Sequence, residues 1–128
     1  MRVFSTTGAP LASFFAYDAS FTGGVRVAAA GSKVITGAGP GGGPHVRAFE
    51  ADGTPTATSF FAYDASFTGG VYVSAGDVDA DGSADIVTGA GAGGGPHVQV
   101  FSADGTNTLA SFFAYAPAFT GGVYVGGK

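Results

Sequence analysis

The sequence predicts an all-β chain built from repeated four-stranded antiparallel units. Three observations carry that reading. The first is self-similarity: Ser13-Phe14-Phe15-Ala16-Tyr17 recurs at 59–63 and again at 111–115. Each copy runs on into Phe-Thr-Gly-Gly-Val, at 21–25, 67–71 and 119–123, and a second block from Thr36 to Val46 returns at 88–98. The second is glycine, 24 of 128 residues. With the β-branched residues it interrupts every window that could form an amphipathic helix. The third is a succession of short alternating runs bounded by turn signals. All the aromatic residues fall at repeated positions, so they encode architecture before they encode any site.

Each unit divides into four strands. In the later complete unit the first is Val71-Tyr72-Val73, after a Gly-Gly break, and the second is Asp85-Ile86-Val87-Thr88, ended by a glycine-rich stretch. The third runs from Pro96 to Phe101 and ends toward the turn signal Asp104-Gly105; the fourth is Ser111 to Tyr115. Pro44 and Pro96 open their strands, where a missing N–H costs least. In the fourth strand the pleat puts Phe14 and Ala16 on one face, with Phe15 and Tyr17 on the other. Both faces are thus largely apolar, as a sheet stacked between two neighbours requires; a half-solvated sheet would alternate.

Four strands in about 50 residues, repeated head to tail, is the pattern of β-propeller blades. With strands lettered a to d from the inside out, the chain reads c-d, a-b-c-d, a-b-c-d, a. The expected boundaries are a partial blade over 1–24, a blade over 25–70, a blade over 71–118 and a partial strand over 119–128. Closed propellers need about four to eight blades. Two whole blades therefore imply a longer array, or assembly with other copies of the same chain.

Composition excludes several classes. Without cysteine there is no disulfide or thiol chemistry, and a small fold needs another staple. The net charge is −4, and the basic residues Arg2, Arg26, Lys33, Arg47 and Lys128 are scattered, which argues against nucleic acid. No apolar run approaches the ~20 residues of a membrane span. The start, Met1-Arg2-Val3-Phe4, lacks the apolar region of a secretory signal. Either the protein is cytoplasmic, or the sequence is a mature segment of an extracellular or cell-surface protein.

At Asp77-Val78-Asp79-Ala80-Asp81-Gly82-Ser83-Ala84-Asp85-Ile86-Val87-Thr88-Gly89-Ala90-Gly91 the sequence resembles the FG-GAP/VCBS repeats, which form the blades of integrin-α-like propellers and of large bacterial secreted proteins. The resemblance implies that D-x-D-x-D-G-x-x-D joins the first two strands of a blade and holds Ca²⁺. The earlier complete unit departs from the pattern. There Val27 is followed by Ala28-Ala29-Ala30-Gly31-Ser32-Lys33, and the spacing between repeats drops from 52 residues to 46. The shortening removes the acidic loop. Gly31-Ser32 suits a two-residue hairpin turn with glycine first, and Lys33 takes the place of Asp85, so no metal is expected in that unit.

The acidic loop is the strongest chemical signal. Asp77, Asp79, Asp81 and Asp85 lie within nine positions, and alternate spacing lets carboxylates converge as the chain curls round a hard cation. Gly82 permits the sharp turn, Ser83 offers its backbone carbonyl and Asp85 closes the shell. An EF-hand would carry Glu where Thr88 stands, and would need flanking helices. The bland reading is a solvated acidic turn; against it, four uncompensated carboxylates repel one another. The stretches Gly37 to Gly43 and Gly89 to Gly95 lack the Lys-Ser/Thr of a phosphate loop and are followed by strands, so they read as wide b–c loops that let blades approach. His45 and His97 occupy equivalent positions without Cys or recurring acidic partners, and read as structural. The Phe-Phe-x-Tyr stripes read as core packing ahead of sugar-stacking platforms. No catalytic constellation can be assembled.

The reading is a non-catalytic structural or assembly module, stabilised by one Ca²⁺ held by Asp77, Asp79, Asp81, Ser83 and Asp85. Homo-oligomers or fibres through blade stacking are the expected partners. The alternative is a carbohydrate-binding, lectin-like adhesion propeller using surfaces between blades.

Overall fold

A computed structural model of the chain describes residues 2–4 and 7–126. Those residues form ten strands and no helix. β1 (Arg2–Phe4) and β2 (Pro10–Ser13) make a two-stranded hairpin. β3 (Val25–Ala30), β4 (Lys33–Ala38), β5 (His45–Glu50) and β6 (Pro55–Phe61) form one four-stranded antiparallel meander. β7 (Val71–Gly76), β8 (Asp85–Ala90), β9 (His97–Phe101) and β10 (Thr108–Phe113) form a second. The expected all-β architecture of four-stranded antiparallel sheets is present. The partial blade over 1–24 and the partial strand over 119–128 include residues 1, 5, 6, 127 and 128, which lie outside the described residues. Within 119–126 no strand forms, although the Val123 amide donates to the carbonyl of Ala90 at 3.0 Å.

Turn chemistry sets the registers. Gly31 adopts φ 61° and closes the β3–β4 hairpin with Ala30 opposite Lys33, the tight turn its Gly-Ser pair calls for. In the later unit Gly76 faces Asp85 instead, and residues 77–84 loop out between them. The outer hairpins turn at Gly53 (φ 93°) and Gly105 (φ 76°). In each the preceding carboxylate is fixed: Asp52 Oδ1 accepts from the Thr54 amide, and Asp104 Oδ1 from the Thr106 amide.

The two meanders pack on each other through one core. Ile35, Val46 and Ala48 of the earlier sheet meet Val71, Val73, Ile86 and Phe101 of the later one. β7 lies against β3 and β4, and removing a Val or Ile side chain of this kind from water contributes about 1.5–3 kcal/mol. The contact works because β4 carries Gly37: a Cβ there would stand 2.7 Å from the Val71 carbonyl oxygen.

Polar ties recur at each step of the stack. Arg47 donates to the carbonyl of Ala16 at 2.8 Å, and Gln99, its counterpart, to that of Ala62 at 2.6 Å. The Gly41 amide reaches the Thr68 carbonyl, and the Gly93 amide the Thr120 carbonyl, at 2.9 and 2.8 Å. These are the two glycine-rich loops, and their role is close approach between neighbouring units. Among the described residues the stack stays open, with no sheet returning to the first.

The fourth strand departs from its expected place. β10 ends at Phe113 and not at Tyr115, and its counterparts end at Ser13 and Phe61. The third strand starts at His45 or His97, one residue after the proline. The reason is local chemistry after the Phe pair. The Ala62 and Ala114 amides make a last cross-strand bond to the Pro44 and Pro96 carbonyls. Asp64 then accepts from the amide and hydroxyl of Ser66 and turns the chain, as Asp18 does with Ser20. The two faces are therefore not equivalent. Phe14 and Ala16 face a neighbouring unit, whereas Phe15 is 77% exposed and Tyr17 has left the strand.

That departure gives Tyr17 and Tyr63 a job across the stack. The Tyr63 hydroxyl donates to the His97 carbonyl at 2.6 Å and lies 3.1 Å from Thr88 Oγ1; Tyr17 repeats this with His45 and Thr36. Burial pushes both phenols up to about 12, so the hydroxyls stay protonated donors. Tyr63→Phe leaves the His97 carbonyl without that donor and should lower stability by about 1–2 kcal/mol in urea unfolding. Tyr115→Phe, at an exposed ring, should stay within about 0.5 kcal/mol of the parent. Equal losses from the two variants would refute this role.

Candidate metal centre

β7 and β8 are the first two strands of the later sheet, with β7 at its edge, and the loop joining them brings the acidic residues together. Ala80 (φ 61°) and Gly82 (φ 89°) both adopt left-handed backbone, which curls residues 77–84 back on themselves. Each of Asp77, Asp79, Asp81 and Asp85 offers a carboxylate oxygen, and those four oxygens all lie within 4.8 Å of one another. Asp85 is the anchor. It opens β8, is 1% exposed, and takes the Val78 amide on Oδ2 at 3.0 Å.

Backbone amides preorganise the remaining carboxylates. Asp77 accepts from the amides of Gly82 (2.8 Å) and Asp81 (3.1 Å), and Asp81 from that of Ser83 (2.9 Å). Asp79 has only a longer bond, 3.3 Å, from the Asp81 amide. The electrostatics follow. The Gly82 amide holds the Asp77 carboxyl below the usual carboxylate range. Asp79 is pushed up, first by desolvation and then by the charges of Asp81 and Asp85. The crowding thus falls mainly on the least supported carboxylate. Oxygen donors at this spacing suit a hard cation and could hold a metal ion.

Four of the five expected ligands are gathered by the loop. Ser83 lies in the same turn, exposed, with its amide given to Asp81. In the earlier sheet the equivalent corner holds an exposed ion pair, Lys33 Nζ to Glu50 Oε1 at 2.6 Å. A cation on the Asp85 position and an absent loop leave no carboxylate cluster there.

Two further features escaped the sequence. The first is a column of equivalent first-strand residues: the Arg26 guanidinium sits 4.2 Å over the Tyr72 ring, which lies 4.1 Å from the Tyr124 ring. The signal was their shared position in Val-x-Val. The second is a cavity that recurs between units. Tyr63, Phe67, His97 and Phe113 wall one of about 370 Å³; Tyr17, Phe21, His45 and Phe61 wall another of about 260 Å³. The histidines are held in place, Nε2 lying 2.7 Å from Ser59 Oγ or Ser111 Oγ, and burial lowers the basicity of both.

Compared with known families, curated proteins and solved structures, the chain matches no family model, no curated protein and no solved structure. Fold and site together define an all-β repeat protein in which, among the described residues, one acidic cluster could hold a metal ion. Among the described residues no helix is long and apolar enough to cross a membrane.

Proposed function

We propose that the chain is a non-catalytic structural and assembly module, a run of propeller-style blades stiffened by one Ca²⁺ and working outside the cell. One observation carries the reading: the four carboxylates converge on the single hairpin that kept its long loop. The resemblance of that loop to FG-GAP/VCBS repeats supports it, as does the recurrence of the same ties at every step of the stack. A cation does here what a disulfide does in other small secreted domains. Its affinity should be on the order of 10⁻⁵ to 10⁻³ M, because the ligands are many but the hairpin is exposed.

Titration calorimetry tests the proposal. One Ca²⁺ per chain is expected, bound by Asp77, Asp79, Asp81 and Asp85 with the Ser83 carbonyl. Mg²⁺ should bind more weakly, since it demands a tighter octahedron. Absence of heat at millimolar Ca²⁺ would sink the metal assignment.

The recurring aromatic cavity favours a second reading, a lectin-like module that stacks sugar rings between units. A glycan array decides it. Signal that falls with Phe113→Ala, an exposed wall of the larger cavity, supports sugar binding, and a blank array rejects it.

A further inference from the structure

The first Phe of the first two Phe-Phe pairs, Phe14 and Phe60, acts as a plug into the next unit. Phe14 lies 5.0 Å from the Phe49 ring and covers the turn glycine Gly53, a Cβ on which would stand 2.7 Å from Phe14 Cδ1. Phe60 repeats this one step on, 4.7 Å from the Phe101 ring and covering Gly105. The sockets are thus the outer hairpin turns of β5–β6 and β9–β10. Both are glycine with positive φ, so the ring packs onto bare backbone.

A third plug and a third socket remain. Phe112, the counterpart of Phe14 and Phe60, is 51% exposed on β10 at one end of the stack. Gly8, in the turn of β1–β2 at the other end, shares their backbone with φ 88°, and among the described residues no atom beyond its chain neighbours lies within 4 Å of where its Cβ would stand. In sequence Phe4 precedes Gly8 as Phe49 precedes Gly53 and Phe101 precedes Gly105.

We infer that copies of this chain associate head to tail, with Phe112 of one copy seated on the Gly8 turn of the next. The inference rests on the proposed reading of the chain as an assembly module, and it names the partner and the contact. A second copy fits because the same plug and socket already meet twice within one chain. Leu109, beside the plug on β10, and Tyr115, just beyond that strand, add exposed apolar surface at that end. The contact is heterologous, because the two surfaces differ, so association continues into rings or open filaments and does not stop at a symmetric dimer.

Sedimentation of the whole chain tests it. The unmodified protein should appear as concentration-dependent multiples of 12.4 kDa. Phe112→Asp should return it to a monomer. Phe113→Asp changes the neighbouring residue, equally exposed at 52% but on the opposite face of the strand, and should leave assembly intact. Tagged Phe112→Asp protein keeps its Gly8 turn and should still capture unmodified chain. Failure of that capture, as a Phe112-to-Phe112 contact would give, overturns the inference. So do a monomeric parent, continued assembly of Phe112→Asp, or equal loss with both variants. Calcium separates this from the proposed metal role. Assembly through Phe112 in a chain indifferent to Ca²⁺ supports the contact and refutes the metal, whereas a calcium-responsive monomer does the reverse.

Discussion

Saturating Ca²⁺ should raise the melting temperature of the unmodified chain, and chelator should take the gain away. At 100-fold excess over the dissociation constant, a ligand that binds only the folded state adds about 2.7 kcal/mol. For a domain of this size that corresponds to a rise of roughly 10 °C. The physical source is the crowding of four carboxylates within 4.8 Å, which the backbone amides relieve for Asp77 but scarcely for Asp79. Asp79→Ala should therefore abolish most of the calcium response. It should also leave the chelated protein at least as stable as the parent, because it removes a repelled charge and only one long hydrogen bond. Lys33→Ala, at the corner that lacks the loop, should leave the calcium shift unchanged. Identical melts of the parent with calcium and with chelator would refute the metal role, and a full shift in Asp79→Ala would refute the assignment of ligands.

This site is legible in the sequence because it is local. Asp77, Asp79, Asp81, Gly82 and Asp85 sit on one hairpin, so spacing and turn chemistry carry the information, and Gly31-Ser32 announces its own two-residue turn in the same way. The fourth strand ends short of its expected place because a local turn releases the chain after the Phe pair, and the tyrosine beyond it then finds a partner far away in sequence. Tyr17 and Tyr63 read as the last beat of an apolar alternation, yet each hydroxyl belongs to a carbonyl 28 or 34 residues away. The Asp18 and Asp64 turns that release them from the strand are visible in sequence as Asp-Ala-Ser, but the aromatic pattern outweighs them. The column of Arg26, Tyr72 and Tyr124 has no local signal beyond its register, since a cation and two phenols share no hydropathy. Whatever crosses from one unit to the next has to be seen in three dimensions. The recurrence of the units then makes it readable a second time.

Gly37 is the test of that crossing, because local preference and packing predict opposite signs. It sits inside β4, paired with Arg26 and Val46, where a β-branched residue would ordinarily strengthen the strand by up to ~1 kcal/mol. Packing says otherwise. A Cβ there stands 2.7 Å from the Val71 carbonyl oxygen, 2.9 Å from Val73 Cγ1 and 3.0 Å from Val71 Cγ1. Val71 is fully buried at the centre of the shared core, and its carbonyl is backbone that cannot swing aside. The sheets must separate, and overpacking of this kind costs about 3 kcal/mol. Gly37→Val should thus lose about 2–3 kcal/mol in urea unfolding. Gly89 is the equivalent residue of β8, and a Cβ there would meet the Val123 carbonyl more closely still. Val123 lies outside any strand, on a segment tied to β8 through its bond to Ala90, and that segment can move away. Gly89→Val should therefore cost less than about 1.5 kcal/mol. If Gly37→Val is neutral or stabilising, or if Gly89→Val proves the costlier of the two, packing between the sheets does not decide the outcome at Gly37.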